Sequence, residues 1–94
     1  MPDAAESIVQ HDNNRTRVTL WKFLPGVATG WHRHEMDYVI VPLKSGKLKM
    51  LELEGKENLV HLTSGISYFR KAGVEHDVVN VNDYEFAFLE IEFK

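Results

Sequence analysis

Two histidines one residue apart, His32 and His34, mark the stretch of this chain best suited to chemistry. Alternate side chains of an extended strand share a face, so the two imidazoles can converge on one ion. The same spacing also fits a polar strand face, and the pair needs a third partner before it reads as a site. His76 supplies one, in the segment 64–80, where a glycine turn at Gly65 leads into β-like sequence. Two strands of one barrel would then bring three imidazoles together. The chain has no cysteine, which removes thiolate sites, disulfides and thiol nucleophiles and leaves a metal only imidazole and carboxylate ligands.

The elements that must position these residues read as short β-strands. From Arg15 onward apolar runs are broken by glycine or polar turns, and no apolar period of 3.6 extends over three helical turns. Strands are expected near 16–24, 29–34, 37–43, 47–54, 58–62, 66–70, 75–81 and 85–93. The pairs Pro25-Gly26, Ser45-Gly46, Glu54-Gly55, Ser64-Gly65, Ala72-Gly73 and Asn82-Asp83 fall between them, where turn geometry is needed. This pattern predicts an all-β fold, a jelly-roll barrel of about eight or more antiparallel strands. Residues 1–14 carry few apolar groups and read as a loosely docked N-terminal arm, leaving 15–94 as a single domain.

Composition narrows the function. With 94 residues, 44% of them hydrophobic and 27% charged, the chain has material for one packed core and no room for a separate cofactor domain. A net charge of −3 argues against the clustered basic surface that nucleic acid demands. The start has neither the basic flank nor the apolar core of a secretory signal, and no run is long enough to span a bilayer. A cytoplasmic protein without a membrane partner is expected. In the last strand Ala87, Leu89, Ile91 and Phe93 alternate with Phe88, Glu90 and Glu92, so the first set is expected to enter the core. Trp21 and Phe23 lie on the strand face opposite Leu20 and Leu24, leaving apolar surface for a homodimer to bury.

Two motifs then give the chain a resemblance. Gly26, His32, His34 and Gly46 match the first motif of the cupin superfamily, which runs glycine, five residues, His-x-His, three or four residues, Glu, six residues, glycine. Gly65, Gly73, His76 and Asn80 match its second motif in register, with Lys71 in place of a proline. The resemblance covers roughly residues 18–92 and implies a cupin-type double-stranded β-helix in which His32, His34 and His76 hold a divalent ion such as Fe, Mn, Ni or Zn. The motif glutamate is absent: its position falls on Tyr38 or Val39. Glu35 and Asp37 lie nearby but alternate onto the opposite face, so either ligates only if a bulge follows His34. Tyr38 shares the histidine face and is a candidate catalytic residue, able to offer its hydroxyl to a metal-bound water or a substrate.

A three-histidine site leaves coordination positions open and the ion's charge uncompensated, which favours a small carboxylate as ligand. The sequence around His32 and His76 also resembles small cupins of β-alanine degradation. Three functions fit these features: a metal-dependent enzyme acting on a small organic acid as an oxygenase, lyase or isomerase; a non-catalytic metal or small-molecule binding module; and a dimeric protein with a vestigial metal site.

Overall fold

The computed structural model describes residues 4–94. Among these residues nine strands run in the order β1 (Glu6–Asp12), β2 (Thr16–Phe23), β3 (His32–Arg33), β4 (Asp37–Pro42), β5 (Gly46–Leu51), β6 (Glu57–Leu62), β7 (Tyr68–Arg70), β8 (Glu75–Asn80) and β9 (Phe86–Phe93). They form a five-stranded sheet, ordered β1-β2-β9-β4-β7, and a four-stranded sheet, ordered β3-β8-β5-β6. Every strand pair is antiparallel. The jelly-roll expectation holds, and each expected strand overlaps an observed one.

The core lies between the two sheets. Phe23, Phe86 and Phe88 meet Tyr38, Ile40, Leu48, Met50 and Val78 there, and Phe23 and Phe88 pack with ring centroids 5.4 Å apart. Strand alternation explains the set: Leu48 and Met50 point inward from β5 while Lys47 and Lys49 point out. The β5–β6 hairpin closes through a short 3-10 turn, Leu53–Gly55, in which Glu54 and Gly55 both have positive φ.

Two expectations are corrected. Residues 6–12 are not a loose arm; they form β1, an edge strand paired along β2 from Glu6↔Lys22 to Asp12↔Arg17. All seven of its residues are exposed, so it has no buried face for a hydrophobic pattern to reveal, and its backbone ladder holds it. The expected inward face of β9 is also reversed. Phe86, Phe88 and Glu90 are buried, and Phe88, Glu90 and Glu92 line the interior cavity; of the opposite set Ala87 is buried too, but Leu89 and Ile91 are only half-buried and Phe93 is exposed. Trp21 and Phe23 face inward too. Assigning carboxylates to water fails here because the barrel encloses a cavity of its own, and a largely apolar wall still carries a few polar side chains.

Candidate metal centre

The two histidine segments meet through backbone pairing. β3 lies beside β8 with His32 opposite His76 and Arg33 opposite Glu75. His34 follows the last residue of β3, and its N–H donates to Val74 O at 2.8 Å while Gly73 N–H donates to His34 O at 2.8 Å. Gly73 sits at φ +104°, a conformation that disfavours a side chain, which accounts for the motif glycine at this crossing. On the other flank Asp77 accepts the N–H of Gly30 at 3.0 Å, and Thr29 Oγ1 accepts that of Val78 at 3.1 Å. The loop before His32 is thereby tied to the strand that carries His76.

The imidazoles converge through Nε2. His34 Nε2 lies 3.1 Å from His32 Nε2 and 3.0 Å from His76 Nε2, and the ligand atoms of all three lie within 4.8 Å of one another. The rings stand edge to face, at 71° to 86° to each other. Two nitrogens about 2.1 Å from one ion and at right angles around it lie about 3 Å apart, so the spacing suits a shared metal. The outer nitrogen of His32 fixes its tautomer. His32 Nδ1 is 2.9 Å from the carbonyl of Gly30, which can only accept, so Nδ1 carries the hydrogen and Nε2 is left as a bare lone pair. His34 Nδ1 faces Glu90 Oε2 at 3.5 Å. Bare lone pairs 3.1 Å apart repel unless a cation lies between them, and this observation makes the cluster a fitting place for a metal.

Electrostatics agree. Burial first, then the neighbouring His32 and His76, pushes His34 down to about 3. Burial, followed by His32 and Arg70, pushes His76 down to about 4. Both are therefore neutral ligands at pH 7. Glu90 moves the other way, up to about 7, through burial and then the neighbouring charge of Glu92, against the Trp21 Nε1–H donated to its Oε1 at 3.4 Å. The His34–Glu90 contact at neutral pH is therefore that of a neutral imidazole with a titrating carboxyl, not a fixed ion pair.

The cluster forms part of the wall of a cavity of about 570 Å³ between the sheets, whose apolar lining includes Trp21, Ile40, Leu48, Met50 and Phe88. Tyr38, the other sequence candidate, stacks on His34 with centroids 4.0 Å apart and planes 16° apart. Burial, first among its causes, raises its phenol above the usual range, so the hydroxyl stays protonated. Glu35 and Asp37 stay outside the histidine cluster. Glu35 is exposed and pairs with Arg33 at 3.5 Å, while Asp37 accepts the N–H of Ala72 at 2.9 Å. Asn80 fixes backbone, as its type suggests, donating to Tyr84 O at 2.9 Å and Phe23 O at 3.1 Å. Sequence reasoning missed Glu90 and Trp21 as parts of the site. The usable signal was Glu90 and Glu92 alternating with Phe88 in a strand flanked by aromatics, a pattern that also describes a cavity face.

Comparison with known proteins agrees with the geometry. The cupin domain family matches residues 19–92. The beta-alanine degradation protein BauB of Pseudomonas aeruginosa is 50% identical over 86 residues, covering 92% of this chain and 90% of that protein. The crystal structure of a cupin domain from Bordetella pertussis matches with a TM-score of 0.95 and 51% identity, covering 100% of this chain and 97% of that one. The Thermus thermophilus protein TT1209 matches with a TM-score of 0.75 and 29% identity, covering 99% and 86%. With its three imidazoles brought together where β3 pairs with β8 in a two-sheet barrel, and with this family match over most of its length, the chain belongs to the cupin family.

Proposed function

We propose that this chain is a metal-dependent enzyme that takes a small organic acid into its barrel and transforms it on an ion held by His32, His34 and His76. The observation that carries the reading is the convergence of the three Nε2 atoms on the wall of a cavity of a size that suits small molecules. Three imidazoles suit Zn, Fe, Cu and Ni, and the family resemblance adds Mn. The ion would supply Lewis-acid polarisation of a bound oxygen. Three neutral ligands leave its charge to be met from elsewhere, and the carboxylate of the substrate meets part of it. The apolar wall excludes water around the organic portion, and the Tyr38 hydroxyl, held protonated, donates a hydrogen bond to the bound acid. The relative's name associates it with degradation of beta-alanine, itself a small carboxylic acid, and small-molecule catabolism is the proposed setting.

Protein purified without chelator should carry close to one equivalent of metal, and His76→Ala should lose it. Well under a tenth of an equivalent in the wild-type protein would leave the vestigial-site reading. Given metal, consumption of candidate acids, followed with and without oxygen uptake, separates an enzyme from a binding module that saturates without turnover.

We further propose that a second copy covers the outer face of the five-stranded sheet. Across that face the register aligns Ile8, Leu20, Leu89 and Val41 in one row and Val18, Ile91, Val39 and Phe69 in the next. Ile8 and Phe69 are exposed and the others half-buried except for any covering partner. This is not the surface that alternation suggested, since Trp21 and Phe23 point inward. Light scattering at micromolar concentration should give twice the chain mass, and a monomer there would overturn the proposal.

A further inference from the structure

We infer that Glu90 is the carboxylate of this metal site, acting from behind His34 and not as a ligand. The inference rests on the reading of His32, His34 and His76 as metal ligands. The place where the family motif carries glutamate is occupied here by Tyr38 or Val39, on β4. β9 lies directly beside β4, with Ile40 opposite Glu90 and Tyr38 opposite Glu92, so the inward face of β9 delivers a carboxylate one strand away from that place. Glu90 is 7% exposed, and its Oε2 lies 3.5 Å from His34 Nδ1, the nitrogen that faces away from the cluster. The cluster of groups able to share an ion comprises the three histidines and does not include it.

The outer nitrogens of His32 and His34 are served differently: His32 Nδ1 donates to a backbone carbonyl, and His34 Nδ1 faces a carboxylate. A carboxylate there holds the hydrogen on Nδ1, keeps Nε2 free for the ion and makes the imidazole a stronger donor to it. Tyr38 stacked on the ring face and Trp21 Nε1–H on the other carboxylate oxygen restrict both partners to this arrangement. The consequence is functional. A glutamate among the ligands would fill a coordination position, whereas one behind His34 contributes negative charge to the site and leaves that position for substrate. Glu90 is accordingly a positioning residue.

The test is titration of apo protein with Co²⁺ and Zn²⁺ at pH 7.5, comparing wild type, Glu90→Gln and Glu92→Gln, with the Co²⁺ visible spectrum and the ¹⁵N histidine resonances as second readouts. Glu90→Gln should weaken both metals by about ten- to a hundredfold, keep the coordination number reported by the Co²⁺ bands, and shift the His34 Nδ1–H resonance upfield. Glu90→Asp, which keeps the charge, should recover part of the affinity. Glu92→Gln removes a neighbouring charge without touching His34 and should change affinity less than about threefold. Equal losses in Glu90→Gln and Glu92→Gln would overturn the inference in favour of a general charge effect. A changed coordination number in Glu90→Gln would also overturn it, by making Glu90 a direct ligand. Unchanged affinity in Glu90→Gln, with binding lost in His76→Ala, sinks this inference alone, while failure of wild type to bind either ion sinks the metal reading beneath it.

Discussion

The two ends of β8 carry buried polar side chains of opposite character. At one end Asn80, fully buried, has every polar atom engaged: its amide N–H groups serve the carbonyls of Phe23, Leu24 and Tyr84, and its Oδ1 accepts from the backbone and side chain of Asn82. The network spreads outward through the Tyr84 hydroxyl, which donates to Ser45 O at 2.6 Å, and through Asn82, which exchanges two bonds with the backbone of Lys47. At the other end His76 joins His32 and His34, and their Nε2 atoms crowd each other. Polar groups satisfied among themselves stabilise a fold, whereas acceptors aimed at one another are satisfied only by something added. The contrast separates a structural asparagine from functional histidines, although both belong to the same family motif.

Breaking the closed end should have the largest effect. Asn80→Ala removes the donor to the carbonyls of Phe23, Leu24 and Tyr84 and the acceptor of the Asn82 backbone N–H, and should destabilise the protein by about 4 kcal/mol. Chemical denaturation measures this, and a loss below about 1 kcal/mol would show that water replaces the network. The metal site should be a bystander: any protein that remains folded should bind metal as wild type does.

The open end responds in reverse. His76→Ala should change the stability of metal-free protein by less than about 1 kcal/mol, because the residue borders an existing cavity. The difference should emerge with metal. Ions at a hundredfold excess over their dissociation constant stabilise wild type by about 2.7 kcal/mol, and His76→Ala should gain none of it. Thermal melts with and without Zn²⁺ make the comparison, and equal gains in both proteins would remove His76 from the site.

Gly46→Ala sharpens the first result at a smaller scale. An added Cβ would lie 2.6 Å from the Tyr84 hydroxyl and 2.7 Å from Asn82 Oδ1, both held in hydrogen bonds. Displacing them should cost about 2 kcal/mol and leave metal affinity unchanged. A denaturation midpoint equal to that of wild type would mean that these side chains are free to move aside.

The sequence made the strands and the three histidines legible for a common reason: both depend on local patterns. Turns at Gly26, Gly65 and Gly73 and the bend before Gly46 delimit the strands, and His-x-His needs only alternation to converge. The faces of β2 and β9 were illegible because alternation states which residues share a face and not which face is inside. Apolar groups stand on both, Phe86 and Phe88 inward, Leu89 and Ile91 outward, and Glu90 then looks like the solvent side. Strand β1 was illegible because it buries nothing. The carboxylate partner of His34 needed the β4–β9 register, which is a long-range fact absent from any window of sequence.

The acid response of metal-free protein gives the finest contrast, because the two kinds of buried group at the open end oppose each other. His34 and His76 have folded values of about 3 and about 4, below the ordinary 6.5. Between those limits the unfolded chain binds their protons and the folded one does not, so their contribution is present above pH 6.5 and is lost as pH falls. Glu90, raised from 4.5 to about 7, binds its proton in the folded state across most of the same window, so its contribution falls as pH rises. Near pH 5.5 two protons favour the unfolded chain and one favours the fold. The net slope should be about one proton, on the order of 1 kcal/mol of stability gained per pH unit between pH 5 and 6.5. Glu90→Gln removes the opposing group and should roughly double that slope, with chelator present throughout. Denaturant titrations at pH 5.0, 5.5, 6.0 and 6.5 compare the two slopes. Equal slopes would mean that Glu90 is not buried beside His34 in the folded protein, and the division of this barrel into a satisfied end and a receptive one would lose its carboxylate.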